Sequence, residues 1–185
     1  MELDQVIKSR YSVRQFADKE VKMGDILTCL EAARLAPSAC NGQPTHFVIL
    51  NDKQVKEDFA NAVFSGRFLP CRFFKNAPVL VAVCVKKNAN LTLKAGQKIV
   101  GRPFYLTDHA IAAEHFVLKA TELGLGTCWV GWFSAKKAQE FLKTPKGVEV
   151  HTIIALGYPK EKVKQAEHSR KKLEEIYSLN SYRGD

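Results

Sequence analysis

Seven consecutive apolar residues after a proline, Val79-Leu80-Val81-Ala82-Val83-Cys84-Val85, constrain this chain more than any other feature. Successive side chains of a strand point to opposite faces, so an unbroken apolar and largely β-branched run needs cover on both. The run is therefore read as a central strand, and its neighbours must supply two covering layers. Two further strands are predicted: residues 46–50, closed by Asn51 and Asp52, and residues 148–156, closed by Gly157-Tyr158-Pro159. Between the strands the apolar spacing is helical. Leu3, Val6 and Ile7 predict a short helix ending near Ser9 or Arg10, followed by an extended stretch over residues 11–16. Ile26, Leu27, Leu30 and Ala33 share one face of a second helix over residues 24–36, stopped by Pro37. Val55, Phe59 and Val63 do the same for a third over residues 53–64, and residues 66–77 are less regular. The longest helix, residues 103–123, is apolar over most of its circumference and is expected to be buried nearly all round, in part by a second subunit. Gly124 and Gly126 end it. Residues 127–132 read as a connection into a short helix capped by Ser134 and running to about Leu142. Residues 86–102 read as a mobile loop with at most one helical turn. In the charged tail, Leu173, Ile176 and Tyr177 are available for contact with the body. Strands separated by helices predict an α/β sandwich around one sheet, with the pairing sense left open.

At 185 residues, 46% apolar and 25% charged, the chain is long enough for one folded domain with a sizeable core. No apolar run reaches membrane-spanning length, and the start Met-Glu-Leu-Asp-Gln is not built as a signal peptide, so a cytoplasmic location is expected. The cysteines Cys29, Cys40, Cys71, Cys84 and Cys128 are odd in number and scattered, which argues against a disulfide framework and a zinc knuckle. His46, His109, His115, His151 and His168 make no recognisable metal site with a Cys, Asp or Glu, and none is expected. There is no Gly-x-Ser-x-Gly elbow and no phosphate-binding Walker loop. Gly124-Leu125-Gly126 lacks the third glycine of a dinucleotide fingerprint and follows a helix.

The net charge of +9 is unevenly spread: no acidic residue stands between Asp58 and Asp108, where eight Lys and Arg fall. Such asymmetry favours anionic partners. Without an RNA-binding aromatic motif, zinc finger or helix-turn-helix signature, phosphates on small molecules are favoured over nucleic acid.

Two stretches can carry chemistry. In Arg10-Tyr11-Ser12-Val13-Arg14 the spacing of two puts both guanidinium groups and the hydroxyl on one side of an extended segment, where they could converge on a phosphate. A solvated basic turn is the alternative. Residues 36–44, Ala-Pro-Ser-Ala-Cys-Asn-Gly-Gln-Pro, combine small residues, turn formers and amides in a way that suits close approach to a flat ring, with Asn41 offering a donor and an acceptor.

Four blocks, in this order, resemble the FMN-dependent nitroreductase family in its compact form over essentially the whole chain. They are residues 10–16 (Arg-Tyr-Ser-Val-Arg-Gln-Phe), residues 36–44, residues 123–131 (Leu-Gly-Leu-Gly-Thr-Cys-Trp-Val-Gly) and residues 154–159 (Ile-Ala-Leu-Gly-Tyr-Pro), followed by the basic group Arg170-Lys171-Lys172-Leu173. The resemblance implies an α+β sandwich with a mixed, mainly antiparallel sheet, in a single FMN-binding domain over residues 1–185 whose C-terminal extension, residues 160–185, completes the cofactor site. It implies an interlocked homodimer with two FMN molecules at the subunit interface. By position, Arg10, Ser12 and Arg14, with Tyr11 in the same block, would meet the phosphate, ribityl chain and pyrimidine edge. Pro37, Ser38, Ala39 and Asn41 would come from the other subunit to cover the ring, the backbone at Val130 and Gly131 would reach the N5 region, and Arg170 with Lys172 would close on the phosphate.

The activity implied is hydride transfer from NADH or NADPH to a small flat acceptor such as a nitroaromatic or quinone, with no catalytic side chain because the flavin carries the chemistry. Dehalogenation, heterocycle oxidation or flavin fragmentation on the same fold, or a basic nucleotide-binding module, are the alternatives. The acid-free stretch suggests that Lys94, Lys98 or Arg102 meets the nicotinamide phosphates, a bland cationic surface being the alternative. Cys40 would be either an oxidation-sensitive thiol near the flavin or an inert small residue at the interface, the latter favoured. Departures from the family pattern stand at Tyr11, Cys40, Thr45 and Trp132, the last narrowing the pocket beside the flavin.

Overall fold

The computed structural model describes residues 1–87, 91–160 and 170–182. Helices α1 (Leu3–Ser9) and α2 (Met23–Arg34) precede strand β1 (Thr45–Leu50) and helix α3 (Lys53–Val63). After 3-10 turns over Gly66–Asn76 come β2 (Val79–Lys86), α4 (Leu91–Val100), α5 (Tyr105–Glu122), β3 (Gly126–Val130), α6 (Ala135–Leu142) and β4 (Val148–Gly157). The four strands form one sheet in the order β1-β2-β4-β3, antiparallel at every step. The parallel element among the described residues is an isolated bridge between Ser12 and Thr127.

Strand β2 lies inside the sheet and is buried on both faces, as its unbroken apolar run requires. Leu80, Ala82 and Cys84 pack with Phe59, Val63 and Phe64 of the α3 side and with Ala138 of α6. Val79, Val81 and Val83 point the other way, against Ile26 and Cys29 of α2 and Phe116 and Val117 of α5. The result is an α+β sandwich with one helical layer on each side of the sheet. Burial pushes the Cys29 thiol up to about 12 and the Cys84 thiol up to about 11, so both act as small apolar fillers. Among the described residues no helix is long and apolar enough to cross a membrane.

Several expectations need correction. Residues 86–102 are not a loop: α4 occupies Leu91–Val100, and residues 88–90 lie outside the description. Its pattern is weak because Leu93 is buried while Ile99 and Val100 face solvent. Residues 127–132 are not merely a connection, since Gly126–Val130 forms the edge strand β3, ordered by β4. Gly124, at φ +75°, does end α5, but Gly126 has a different role. A side chain there would put its Cβ 2.5 Å from Val13 Cγ2 and 3.1 Å from Pro159. Within the single chain helix α5 is buried along one face, through Asp108, Ala112, Ala113, Phe116, Val117 and Ala120, with Leu106 exposed, which leaves the expected cover by a second subunit untouched. Leu3, Ile7, Leu27 and Val55 are exposed as well, and Lys56 takes an inward position where its Nζ donates to the Ala77 carbonyl at 2.7 Å. Leu173, Ile176 and Tyr177 are exposed in the single chain and do not cover the body.

A register shift in β4 introduces a half-buried polar group. Val83 pairs with Thr152 and Cys84 with Val150, so His151 is left over as a bulge. Its ring lies 5.1 Å from that of His109 and 5.9 Å from that of Tyr105, with Nε2 3.5 Å from Glu149 Oε2. Burial, then His109, hold the His151 pKa below its usual 6.5, against the pull of Glu149. The unfolded chain therefore takes up this proton first as pH falls, and stability is lost on going down from about 6.5 towards the folded value. The melting midpoint should drop as pH falls through about 6.5. A His151→Gln variant should flatten that part of the profile. An unchanged profile would reject the assignment.

Candidate functional site

The extended segment after α1 lies along the outer edge of β3. Val13 is buried and its N–H donates to the Thr127 carbonyl at 2.9 Å. With Val13 turned inward, its neighbours in spacing turn away, so Ser12 and Arg14 share the outer side. Arg10, Tyr11 and Ser12 are half-buried and Arg14 is exposed, its Nη1 donating to the Ser12 carbonyl at 3.3 Å. The charges of this segment are felt at Cys128 of β3. Burial raises the Cys128 thiol, while Arg14, a hydrogen bond with Ser12, and Arg10 all pull it down. Ser12 and the positive charges of Arg10 and Arg14 thus all act on Cys128 in mid-strand. Arg10 also acts on Glu114 of α5, a half-buried carboxyl raised by burial.

Further along the same strand stand Val130 and Gly131. Val130 is buried, whereas Gly131 is exposed and has no atom within 4 Å of where a Cβ would sit, which leaves the backbone open to a ligand. Trp132 leans onto the 3-10 segment, with Nε1 donating to the Arg67 carbonyl at 3.0 Å and its ring edge-on to Phe68 at 6.1 Å.

The loop of residues 36–44 is strained. Ala39–Asn41 forms a 3-10 turn in which Cys40 and Asn41 both have φ 49°, and Gln43 follows at φ 42°. Three non-glycine residues in the left-handed region within four positions are unusual and point to a function. The Gln43 N–H donates to Ser38 Oγ at 3.0 Å, and Gln43 Nε2 donates to Asn41 Oδ1 at 3.1 Å. From outside the loop, the buried Asp108 accepts from the Ala39 N–H through Oδ1 at 3.0 Å. Leu93 of α4 lies where a Gly42 side chain would be, 2.3 Å from the Cβ position. Beneath the loop is a pocket of about 390 Å³ lined by Leu30, Ala33, Pro37, Phe47, Asp108 and Ala112. Pro37, Cys40 and Asn41 are exposed, and Ser38 and Ala39 half-buried.

The structure therefore brings Arg10, Tyr11, Ser12 and Arg14 together with Val130 and Gly131, but it does not bring Pro37, Ser38, Ala39 and Asn41 to them. The first group follows β3 and the second leads into β1, which are the two outer strands of the sheet, ~14 Å apart. Arg170 and Lys172 are exposed, beyond residues 161–169, which, like His168 among them, lie outside the described residues. Lys94, Lys98 and Arg102 are also exposed, the first two one turn apart on α4. Asp108 was not foreseen, because an Asp in a first helical turn ordinarily faces solvent.

Residues 7–158 match the nitroreductase family. A protein of Archaeoglobus fulgidus, provisionally described as an NADH dehydrogenase/NAD(P)H nitroreductase, is 32% identical over 162 residues, with 84% of each chain covered. Among solved structures, a nitroreductase family protein of Clostridium difficile superposes with a TM-score of 0.82 at 26% identity, over 98% of this chain and all of that one. A second Clostridium difficile protein, described as an FMN-dependent nitroreductase, has a TM-score of 0.76 at 28% identity over 95% of this chain and 98% of its own.

Proposed function

The chain belongs to the nitroreductase family, and from that premise we propose that it is an FMN-dependent oxidoreductase that uses NADH or NADPH to reduce a flat, electron-poor acceptor of nitroaromatic or quinone type. The observation that carries this reading is the docking of the Arg10–Arg14 segment along the β3 edge, through the Ser12–Thr127 bridge and the Val13 main-chain bond, on the strand that leads to the open backbone at Gly131. The donor set fits the cofactor: two guanidinium groups and a hydroxyl for a phosphate and ribityl chain, and accessible main chain for a heteroaromatic edge. Bound there, FMN would supply the hydride chemistry for donor and acceptor in turn. The protein's own part is to hold the phosphate, seat the ring and keep one face open.

The two halves of the site stand on opposite edges of one sheet, so a second copy is the natural source of Pro37, Ser38, Ala39 and Asn41 for each cofactor. A homodimer also accounts for exposed apolar side chains. Leu3 and Ile7 on α1, Met23 and Leu27 on α2, and Leu106 on α5 all stand on the helical layer that packs Val79, Val81 and Val83. Leu173, Ile176, Tyr177, Leu179 and Tyr182 in the tail lack cover too. In such a dimer Arg170 and Lys172 would be placed to close on a phosphate, and Lys94 and Lys98 to meet the nicotinamide donor at the pocket mouth, which would make the KM for that donor rise with salt.

Anaerobic titration with NADH and NADPH, followed at the flavin band, tests the reading. The purified protein should be yellow, carry one FMN per chain, sediment as a dimer and bleach on addition of donor. A colourless protein that binds no added FMN would overturn it. Trp132 should act on the acceptor and not on the cofactor. Trp132→Ala is expected to keep its FMN and change the acceptor KM by about 5- to 30-fold, the range of ~1–2 kcal/mol. Loss of FMN with an unchanged acceptor KM would count against that placement.

A further inference from the structure

The loop of residues 36–44 holds three strained residues, and most of its hydrogen bonds cannot be what holds them. The Ser38–Gln43 and Gln43–Asn41 bonds, and the turn bonds from Asn41 N–H to Ser38 and from Gly42 N–H to Ala39, lie within the loop and travel with it. The loop's side-chain hydrogen bond to a distant element is the one from the Ala39 N–H to Asp108, 69 positions away on the first turn of α5. Asp108 is 5% exposed, and its second oxygen, Oδ2, is buried without a hydrogen-bond partner among the described residues. A buried carboxylate with an unsatisfied oxygen weakens a fold, and an apolar residue would fill the position at lower cost. Its presence calls for a role other than stability. Its neighbours on the same face of α5, Ala112 and Ala113, are small and apolar and offer it no donor.

We propose that Asp108 is a positioning residue: through Ala39 it clamps the strained loop in the conformation that presents Pro37, Ser38 and Asn41 to a flavin. The proposal rests on the flavin reading above. Oδ1 provides the clamp, and Oδ2 keeps an acceptor at the wall of the pocket beneath the loop. Leu93 assists from the other side by filling the space over Gly42, but an apolar contact cannot set the direction of the Ala39 amide.

Asp108→Ala and Asp108→Asn separate this role from general support, because asparagine keeps an acceptor for the Ala39 N–H and alanine does not. Three quantities are read on purified protein: hydrogen exchange at the Ala39 amide, the Kd for FMN, and the melting midpoint without cofactor. Asp108→Ala should lose Ala39 protection and bind FMN about tenfold more weakly, the effect of one hydrogen bond, while its cofactor-free midpoint stays level or rises. Asp108→Asn should retain Ala39 protection and near-normal FMN binding. Asp108→Ala that protects Ala39 and binds FMN normally would overturn the proposal. So would Asp108→Asn as impaired as alanine, or a midpoint that falls in step with FMN loss. Wild-type protein that binds no FMN would overturn the flavin reading and the purpose given to Asp108, whereas an intact Ala39 amide in Asp108→Ala would overturn the clamp alone.

Discussion

A variant carrying Arg10→Ala and Arg14→Ala together is expected to purify without FMN. Both residues stand on the segment that runs along β3, on either side of the Ser12 bridge to Thr127. A charge-assisted hydrogen bond contributes ~1.5–3 kcal/mol, so losing two should raise the Kd for FMN by about 10²- to 10⁴-fold. The fold should survive, because the segment is held by the buried Val13 and its main-chain bond to Thr127, neither of which is touched. Lys136→Ala with Lys146→Ala removes the same charge from exposed positions around α6 and controls for a general electrostatic effect. Equal FMN loss in the control, or retention in the arginine variant, would refute the assignment of the cofactor to this edge. Equilibrium titration of flavin fluorescence gives both constants.

The largest loss of stability should come from Phe116→Ala. Phe116 is fully buried on the inner face of α5, stacked on Phe47 of β1 with centroids 5.8 Å apart and planes at 17°. It joins the longest helix to an edge strand, among Ile26, Val81 and Val117. Removing a ring from such a site costs ~3–5 kcal/mol through lost transfer energy and the cavity left behind. For a chain of this length that corresponds to a fall of roughly 6–20 °C in the melting midpoint. Phe73→Ala provides the contrast, since Phe73 is exposed and should cost about 1 kcal/mol or less. A fall for Phe116→Ala no larger than that for Phe73→Ala would mean that α5 does not anchor the sheet.

The two variants test different things. One removes ligand contacts and leaves the core alone, and the other opens the core far from the β3 edge. The distinction follows from the layering: the side chains proposed to hold the cofactor lie on the outside of an edge strand, while the ring of Phe116 lies between helix and sheet.

The sequence by itself determined the features whose cause is local. The run over residues 79–85 had to be an inner strand because no one-sided strand is apolar at every position. Ser134 had to start a helix because its side chain satisfies the free N–H of Lys137, whereas the same role of Asp52 towards Val55 emerged from the structure. Arg10, Ser12 and Arg14 were legible because the spacing of two in an extended segment puts their chemistry on one side. Four ordered blocks made the family legible as well.

What was not legible depends on contacts made far along the chain. Strand β3 is five residues at a sheet edge, and its partner's main chain orders it more than its own composition does. Helix α4 has one well-buried apolar anchor, Leu93, whose place is set by a glycine about fifty residues earlier. His151 sits inside because a bulge in β4 turns it there. Only the tertiary structure decided that Asp108 is buried against Ala39, and that the Arg10 and Pro37 stretches stand at opposite edges of the sheet. Strand order is a long-range property that no local pattern encodes, so the chemistry of each stretch could be read from its residues, while their separation was implied only by the family resemblance.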